Sequence, residues 1–572
     1  MDVALNPQQN PQRARRWGET IKALATAEIK AALAIHDLVS DDDAMRTRLT
    51  QGIDDRFRCP RDPTLVRRFL ADDLRTGRVF IYGGGTHTAV IIDILREKPG
   101  LELLGIIDRA AEPGQSRFGL PLFPPDILAD HAYDHILLSH QEFEPQMRRT
   151  LAGLAIDPAV IWSIYDSSDY LATTLPAMAE LDLPASADNV LINFLAPTNG
   201  LSTDSELASI FDPARTVKLH MGRPHLFEAS AVFPTVSLKQ SAAWLAATLK
   251  RLRPSRILIR SSFQFNSIAW VIWLRHHQPE TKIILELYDW AFTLPNALLK
   301  GQFLYDDAEV EDENRGEMLA IQDADIILHK YGGRHWRPFV APFREKMFQA
   351  FPVIGRGPSR MSTIGRDRAD GPLRLVSAGG LPPEHFVRRF APEYAMFESL
   401  IDLAGRMPVE IDVFNVVDKP NVDPTLFASY REKYSGYPLK YHRAIPFDEM
   451  QTRLETYDFG LLALTFDFAE FRLMDAVCLG NKFLSYIGAG LPVICSTDDI
   501  YTASLVRHFK AGIIIGRDEL PELDKHLLNA DLTILRDGIG RLREYMYASN
   551  RRLRERLISQ AAPIGVPVSF GP

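Results

Sequence analysis

Asn481–Ser496 reads NKFLSYIGAGLPVICS. The spacing of Phe483, Leu484 and Ile487 predicts a helix over 481–489, which Gly488 and Gly490 bring to an end before a short apolar strand, 491–495. Lys482 falls in the first turn of that helix. A lysine there suits a phosphate or a sugar, because its ammonium and the free backbone N–H groups of the helix start both favour negative charge. Earlier in the chain, Gly379 and Gly380 follow the apolar run Leu373–Val376, and glycines let a phosphate come close to the backbone. Ser485, one turn on from Lys482, offers a hydroxyl to a ribose or a sugar.

A second place for phosphate lies between the strand Arg78–Tyr82 and a helix expected over Thr86–Leu95. Gly83 and Gly85 form its turn, and Asp108 closes the next strand, Leu103–Ile107. In a βαβ unit, such glycines allow tight turning, the helix start binds an anion, and the acid accepts hydrogen bonds from ribose hydroxyls. Thr88 occupies the third glycine position of that fingerprint, so the fingerprint is partial. His87 is placed either to bond a phosphate or to cap the helix. A third set of polar residues follows strands: Asn199 after VLINFL, Asp289 after KIILELY, and His329 and Lys330 after ADIIL. Ligands in open α/β sheets sit at these carboxyl ends. Asp289 also stands where a helix cap is expected.

The spacing argues against a metal. Cys59, Cys478 and Cys495 are scattered, without the spacing of a zinc site. No Asp-x-Asp leaves a strand: Asp41–Asp43 lies in a helical stretch and Asp323-Ala-Asp325 enters a strand. A net charge of −8 over 572 residues excludes wholesale coating of nucleic acid. The N-terminus lacks the apolar core of a signal peptide, and no run approaches the roughly 18 apolar residues of a membrane span. A cytoplasmic protein is expected, with contact at the inner face of a membrane through Arg13, Arg15 and Arg16 as an option. The oligomeric state is open.

These residues need elements to hold them. Residues 1–12 are polar and expected to be disordered, and 13–49 repeat apolar residues at helical spacing. Strand and helix alternate over 78–165, again over 190–330, and again from 373 onward, which predicts parallel sheets. Segments 166–187 and 355–371 read as linkers, and the acidic run Asp306–Glu317 as a solvated face or loop. The expected division is a helical region 1–75, a Rossmann-like nucleotide-binding domain 76–165, and two further lobes, 188–355 and 372–560.

From Val190 to Arg554 the chain resembles GT-B glycosyltransferases. Lys482, Tyr486, Gly490, Pro492, Val493 and Ile494 match the "PxKxxEYxAxGxPVI" segment of their nucleotide-sugar lobe, with Ser485 in place of the Glu. The resemblance implies an α/β fold: a helical N-terminal region and a small Rossmann-like domain, then two Rossmann-like lobes facing a cleft. It further implies a loop with Asn199 and Gly200 at the cleft and Asp289 near the acceptor hydroxyl; His329 is a substrate-contact candidate from its strand-end position alone. The resemblance places Gly379, Gly380, Ser485 and Tyr486 at the nucleotide sugar and Phe447 in the loop facing the base. Gly380 replaces the family's Arg, and Arg388 or Arg389 stands for its Lys. The stretch 78–165 is similar to the domain that precedes sugar O-acyltransferases, on Gly83–Gly85, Gly105–Asp108 and Gly119–Leu122.

Three functions compete: metal-independent transfer of a sugar from a nucleotide sugar to a glycan, lipid-linked or protein acceptor, with no further cofactor; a GT-B-shaped scaffold that has lost catalysis, favoured by Ser485 and Gly380; and a nucleotide-sugar-modifying enzyme centred on 76–165.

Overall fold

The computed structural model describes residues 43–57, 59–60, 62–109, 111–140, 144–165, 167–174, 181–194, 204–208, 210–222, 229–261, 267–287, 290–293, 300, 306–333, 336–337, 341–351, 371–381, 400, 402–403, 405–419, 427–433, 439–462 and 476–561. Arg13, Arg15, Arg16, Asp41, Asn199, Gly200, Asp289 and Arg388 lie outside them.

Three sheets succeed one another along the chain. The first contains β1 (Gly77–Tyr82), β2 (Leu101–Ile107), β3 (Ser116–Arg117), β4 (Leu120–Phe123), β5 (His135–Leu138) and β6 (Ile161–Trp162), in the order β3-β4-β2-β1-β5-β6. The second contains β7 (Asn189–Asn193), β8 (Thr216–His220), β9 (Thr235–Ser237), β10 (Arg256–Arg260), β11 (Lys282–Leu287), β12 (Ile326–His329) and β13 (Met347–Gln349), in the order β13-β12-β11-β10-β7-β8-β9. The third contains β14 (Leu373–Gly379), β15 (Val409–Asn415), β16 (Leu439–His442), β17 (Phe459–Leu461), β18 (Val493–Ser496) and β19 (Gly512–Ile515), in the order β16-β15-β14-β17-β18-β19. All the strand pairs run parallel apart from β3 with β4. The fold is α/β, as the alternation predicts. Parallel strands are covered on both faces, which is why VLIN, RILI and KIIL carry apolar residues in unbroken runs.

In each sheet the strand order reverses once: between β1 and β5, between β7 and β10, and between β14 and β17. The loops at such a point diverge to opposite faces and leave a crevice at the carboxyl ends. Gly379 ends β14 at one of these points and Gly83 follows β1 at another, whereas His329 ends β12, two strands from the reversal between β7 and β10.

Several expectations need correction. The span 166–187 contains a helix, Ser168–Thr174, and the buried Tyr170 hydroxyl donates to the Pro60 carbonyl at 2.6 Å, so this stretch packs instead of merely linking. The acidic run is not a solvated loop. Asp306 caps the helix Asp307–Asp323 through a capping box with Glu309, and Glu309, Glu313 and Glu317, four residues apart, are all buried on one face. Glu317 accepts the Ala291 N–H at 2.8 Å, and Glu309 pairs with Arg149 at 3.0 Å. Charge counting missed this because it ignores helical spacing. β14 also continues through Gly379, and β12 through His329, one or more residues past the expected strand ends.

The second and third sheets are fastened together. The helix Leu532–Ala561 begins against the third sheet, with Ile539, Leu542 and Met546 in its core. It ends on the second sheet, where Leu553 and Leu557 pack with Leu191, Leu258 and Ile284. Midway, the Asn550 amide accepts the Phe351 N–H at 2.9 Å and donates to the Phe351 carbonyl at 2.5 Å. Asn550→Ala strands both backbone groups and is expected to cost about 1–3 kcal/mol in urea unfolding; an unchanged midpoint would mean that this strap does not hold.

Candidate functional site

The third sheet has the most complete arrangement. The helix Asn481–Gly488 starts without a side-chain cap and lays Phe483, Leu484 and Ile487 into the core. Its Tyr486 is fully buried. The Tyr486 hydroxyl accepts the Ala378 N–H at 2.8 Å and lies 3.2 Å from the Leu461 carbonyl, so it bridges the last residues of β14 and β17 where the strand order reverses. The Tyr486 ring lies flat against Gly460, where a methyl would meet it at 2.5 Å. Lys482, one turn earlier on the same face, lies across Gly379, so closely that a methyl at Gly379 would collide with the lysine stem. At Gly380 a methyl would meet only Val417, at 3.5 Å, which leaves room above the turn. Ser485 is half-buried on the flank of the Lys482 face.

Tyr486, expected at the nucleotide sugar, is a structural clip: its phenol is enclosed and committed to backbone groups. Phe447 opens the helix Phe447–Leu454 after β16.

A polar network just beyond these strand ends escaped the sequence reading. Asp418 is wholly buried and takes Arg443 Nε at 3.0 Å, Arg431 Nη1 at 3.1 Å and the Tyr441 hydroxyl at 3.0 Å. Asn415 joins this network to the glycine turn, accepting the Leu381 N–H at 2.9 Å and donating to the Tyr441 oxygen at 3.0 Å. The available signal was Asn415 and Asp418 directly after an apolar strand.

In the second sheet, His220, Asn193, Arg260 and Glu286 stand side by side in register across β8, β7, β10 and β11. All four are buried at the carboxyl ends of their strands. Arg260 Nε donates to Glu286 at 2.8 Å, and Lys218 pairs with Asp204 at 2.8 Å. Burial pulls the Lys218 ammonium down from its usual range, against the attraction of Asp204. Burial alone would raise Asp204, but the Lys218 hydrogen bond brings its carboxyl below the usual range. The charges that end RILIR and KIILEL were the sequence signal for this row.

His329 is buried. Because β12 runs through it, opposite Leu287, the ring points into the core beside Tyr331 and Trp336. Lys330 is buried next to it.

In the first sheet, Gly83 has φ +107°, and a methyl there would sit 2.7 Å from the Ser139 carbonyl, so glycine is required. Gly85 caps the helix Thr86–Glu97. His87 does not face a ligand: Nδ1 meets Ser139 Oγ at 3.0 Å and Nε2 meets the Tyr165 hydroxyl at 2.8 Å. Thr88 donates to the Gly83 carbonyl and meets Ser139 Oγ at 2.7 Å. Both side chains tie the glycine turn to Ser139, the residue after β5. Asp108 lies 3.5 Å from Arg117, whose guanidinium also donates to the Gly84 carbonyl at 2.9 Å.

Among the described residues, no group of three or more His, Cys, Asp or Glu could hold a metal, and no helix is long and apolar enough to cross a membrane.

No protein-family model and no curated protein sequence matches the chain. Among solved structures it is similar to MnaA of S. aureus in a co-structure with UDP, at 11% identity and a TM-score of 0.42 over 67% of this chain and 100% of that one. It is also similar to HepE of Anabaena in complex with UDP and glucose, at 12% identity and a TM-score of 0.43 over 65% of this chain and 99% of that one. The sucrose-phosphate synthase of Thermosynechococcus elongatus gives 12% identity and a TM-score of 0.45 over 66% of this chain and 100% of that one.

Two predictions follow from burial. Tyr486→Phe leaves the Ala378 N–H without its acceptor and is expected to cost about 1–3 kcal/mol in denaturant unfolding; no loss would mean that the phenol is not the clip. Burial pushes the His329 imidazole from 6.5 down to about 3, against a backbone hydrogen bond at Tyr331, so the ring is neutral in the folded chain. The unfolded chain binds this proton below about pH 6.5, so the group's contribution is lost as pH falls from there toward 3. The pH dependence of wild-type unfolding free energy should exceed that of His329→Gln in this window, and equal slopes would contradict the burial.

Proposed function

We propose that the chain is a metal-independent glycosyltransferase that takes its sugar from a nucleotide sugar. The single observation that carries this reading is Lys482 laid across Gly379 at the reversal point of the third sheet. There a cation, an uncapped helix start and a glycine turn converge. In sugar transfer the departing diphosphate gains charge, and pre-placed positive groups stabilise that charge. Lys482 takes this role, with Gly379 and Gly380 bordering the phosphates and Ser485 near a ribose or sugar hydroxyl. Residues 372–560 form the donor lobe. Residues 188–355 form the acceptor lobe, with Asp289 assigned as the base on a glycan, lipid-linked or protein hydroxyl and Asn199 and Gly200 assigned to the substrate. The unit 76–165 holds a separate nucleotide through Gly83, Gly85 and Asp108. The reading places the protein in the cytoplasm, at the inner face of a membrane when the acceptor is lipid-linked.

The uncharged Ser485 favours a second reading, nucleotide binding without turnover. Titration with UDP, GDP and ADP, followed by assays with the matching nucleotide sugars, separates the two. Lys482→Ala is expected to weaken nucleoside diphosphate binding about 10- to 100-fold, the worth of one or two charged hydrogen bonds, and to abolish transfer or hydrolysis. Gly379→Ala should do the same by displacing the lysine, with little change in melting temperature. Wild-type affinity in both variants would remove the diphosphate from this turn, and tight binding without turnover in the wild type would establish the second reading.

A further inference from the structure

Asp418 carries more cation than it needs. A buried carboxylate requires one well-placed positive partner. Asp418, with no exposed surface, has two guanidiniums and a phenol: Arg431 and the Tyr441 hydroxyl on Oδ2, and Arg443 on Oδ1. Arg431 and Arg443 bring two guanidiniums to one carboxylate, and Lys419 beside Arg443 is exposed. Glu432 is the exposed acid next to Arg431, so the locus stays net positive among the described residues.

The way Arg443 is held also matters. Its Nε goes to Asp418 and its Nη2 to the Lys419 carbonyl at 2.7 Å. These two bonds fix the plane of the guanidinium, while Nη1 has no partner among the described residues and the side chain remains 40% exposed. A guanidinium fixed in this way has lost its conformational freedom in advance and offers a donor edge suited to a phosphate oxygen. Asp418 is also joined to the glycine turn through Tyr441 and Asn415, whose amide oxygen accepts the Leu381 N–H. The edge therefore lies on the same rim of strand ends as Gly379, Gly380 and Lys482.

We propose that Arg443, held in place by Asp418, is a second phosphate-contacting residue of the donor nucleotide site. The proposal rests on the donor-lobe reading above and adds a residue to it.

The test is calorimetric titration of the full chain with UDP and with pyrophosphate, for wild type, Arg443→Ala, Arg443→Lys, Asp418→Asn and Lys482→Ala. Arg443→Ala should bind UDP about 10-fold or more weakly, the worth of a charged hydrogen bond, with a native circular dichroism spectrum and a melting temperature lowered because Asp418 Oδ1 loses the Arg443 bond. Arg443→Lys should not restore binding, since an ammonium cannot hold Asp418 and present a second donor edge together. Asp418→Asn should weaken UDP even if its melting temperature falls, and a fall in melting temperature alone counts against the positioning role. If pyrophosphate still binds UDP-saturated wild type and Arg443→Ala removes only that event, the oxyanion belongs to a second substrate and the donor-site assignment of Arg443 is overturned. Wild-type affinity of Arg443→Ala for both probes, with Lys482→Ala impaired, overturns the proposal while leaving the donor site intact. Failure of wild type to bind either probe sinks the donor site itself.

Discussion

The phenol of Tyr486 is the constraint on which the candidate site depends. A buried hydroxyl must find partners, and this one finds the amide of Ala378 and the carbonyl of Leu461 on the two strands that flank the reversal of the third sheet. The bond sets the helix against the sheet in both height and rotation. Lys482 lies one turn earlier on the same helix, and Gly379 one residue further along the same strand. With Tyr486 fixed on Ala378, the lysine stem has to cross Gly379, and only a residue without a side chain leaves space for it. A packing bond thereby places a functional cation.

The three reversal points use their polar groups differently. In the first sheet, His87, Thr88 and Ser139 satisfy one another, and Arg117 bridges Asp108 to the glycine turn. In the second, opposite charges pair in a buried row, Arg260 with Glu286 and Lys218 with Asp204. Removing one partner from such a pair leaves an uncompensated buried charge, at about 3–5 kcal/mol, so these residues act through each other. Among the described residues, the third point brings Lys482 across a glycine turn beside a helix start without a side-chain cap, and Arg443 stands at a neighbouring strand end. These cations are why the donor nucleotide sugar is assigned there.

The architecture was legible because parallel strands are apolar on both faces: RVFIY, RILIR, KIILEL and GIII stand out without help from their neighbours. The meeting of Gly379 with Lys482 was legible in outline, since glycine turn and helix start each carry phosphate chemistry alone. What failed was the direction of side chains. Tyr486 and His329 were read as ligand contacts because they sit beside a turn or a strand end. A strand that runs one residue longer turns His329 into the core, and a bare amide in a neighbouring strand draws Tyr486 inward. The acidic helix failed for a similar reason, since composition cannot show that Glu309, Glu313 and Glu317 share an inward face. The Asp418 network joins residues from two strand ends and a helix, and no local pattern announces such a contact.

A nucleoside diphosphate is assigned to the place where the Lys482 helix meets the end of β14. Hydrogen–deuterium exchange of the full chain, with and without saturating UDP, addresses this directly, because the amides of the turn and the helix start are the groups a phosphate would cover. Slower exchange is expected at Gly379–Leu381 and Asn481–Leu484. Unchanged exchange at both third-sheet segments under saturating UDP would contradict it.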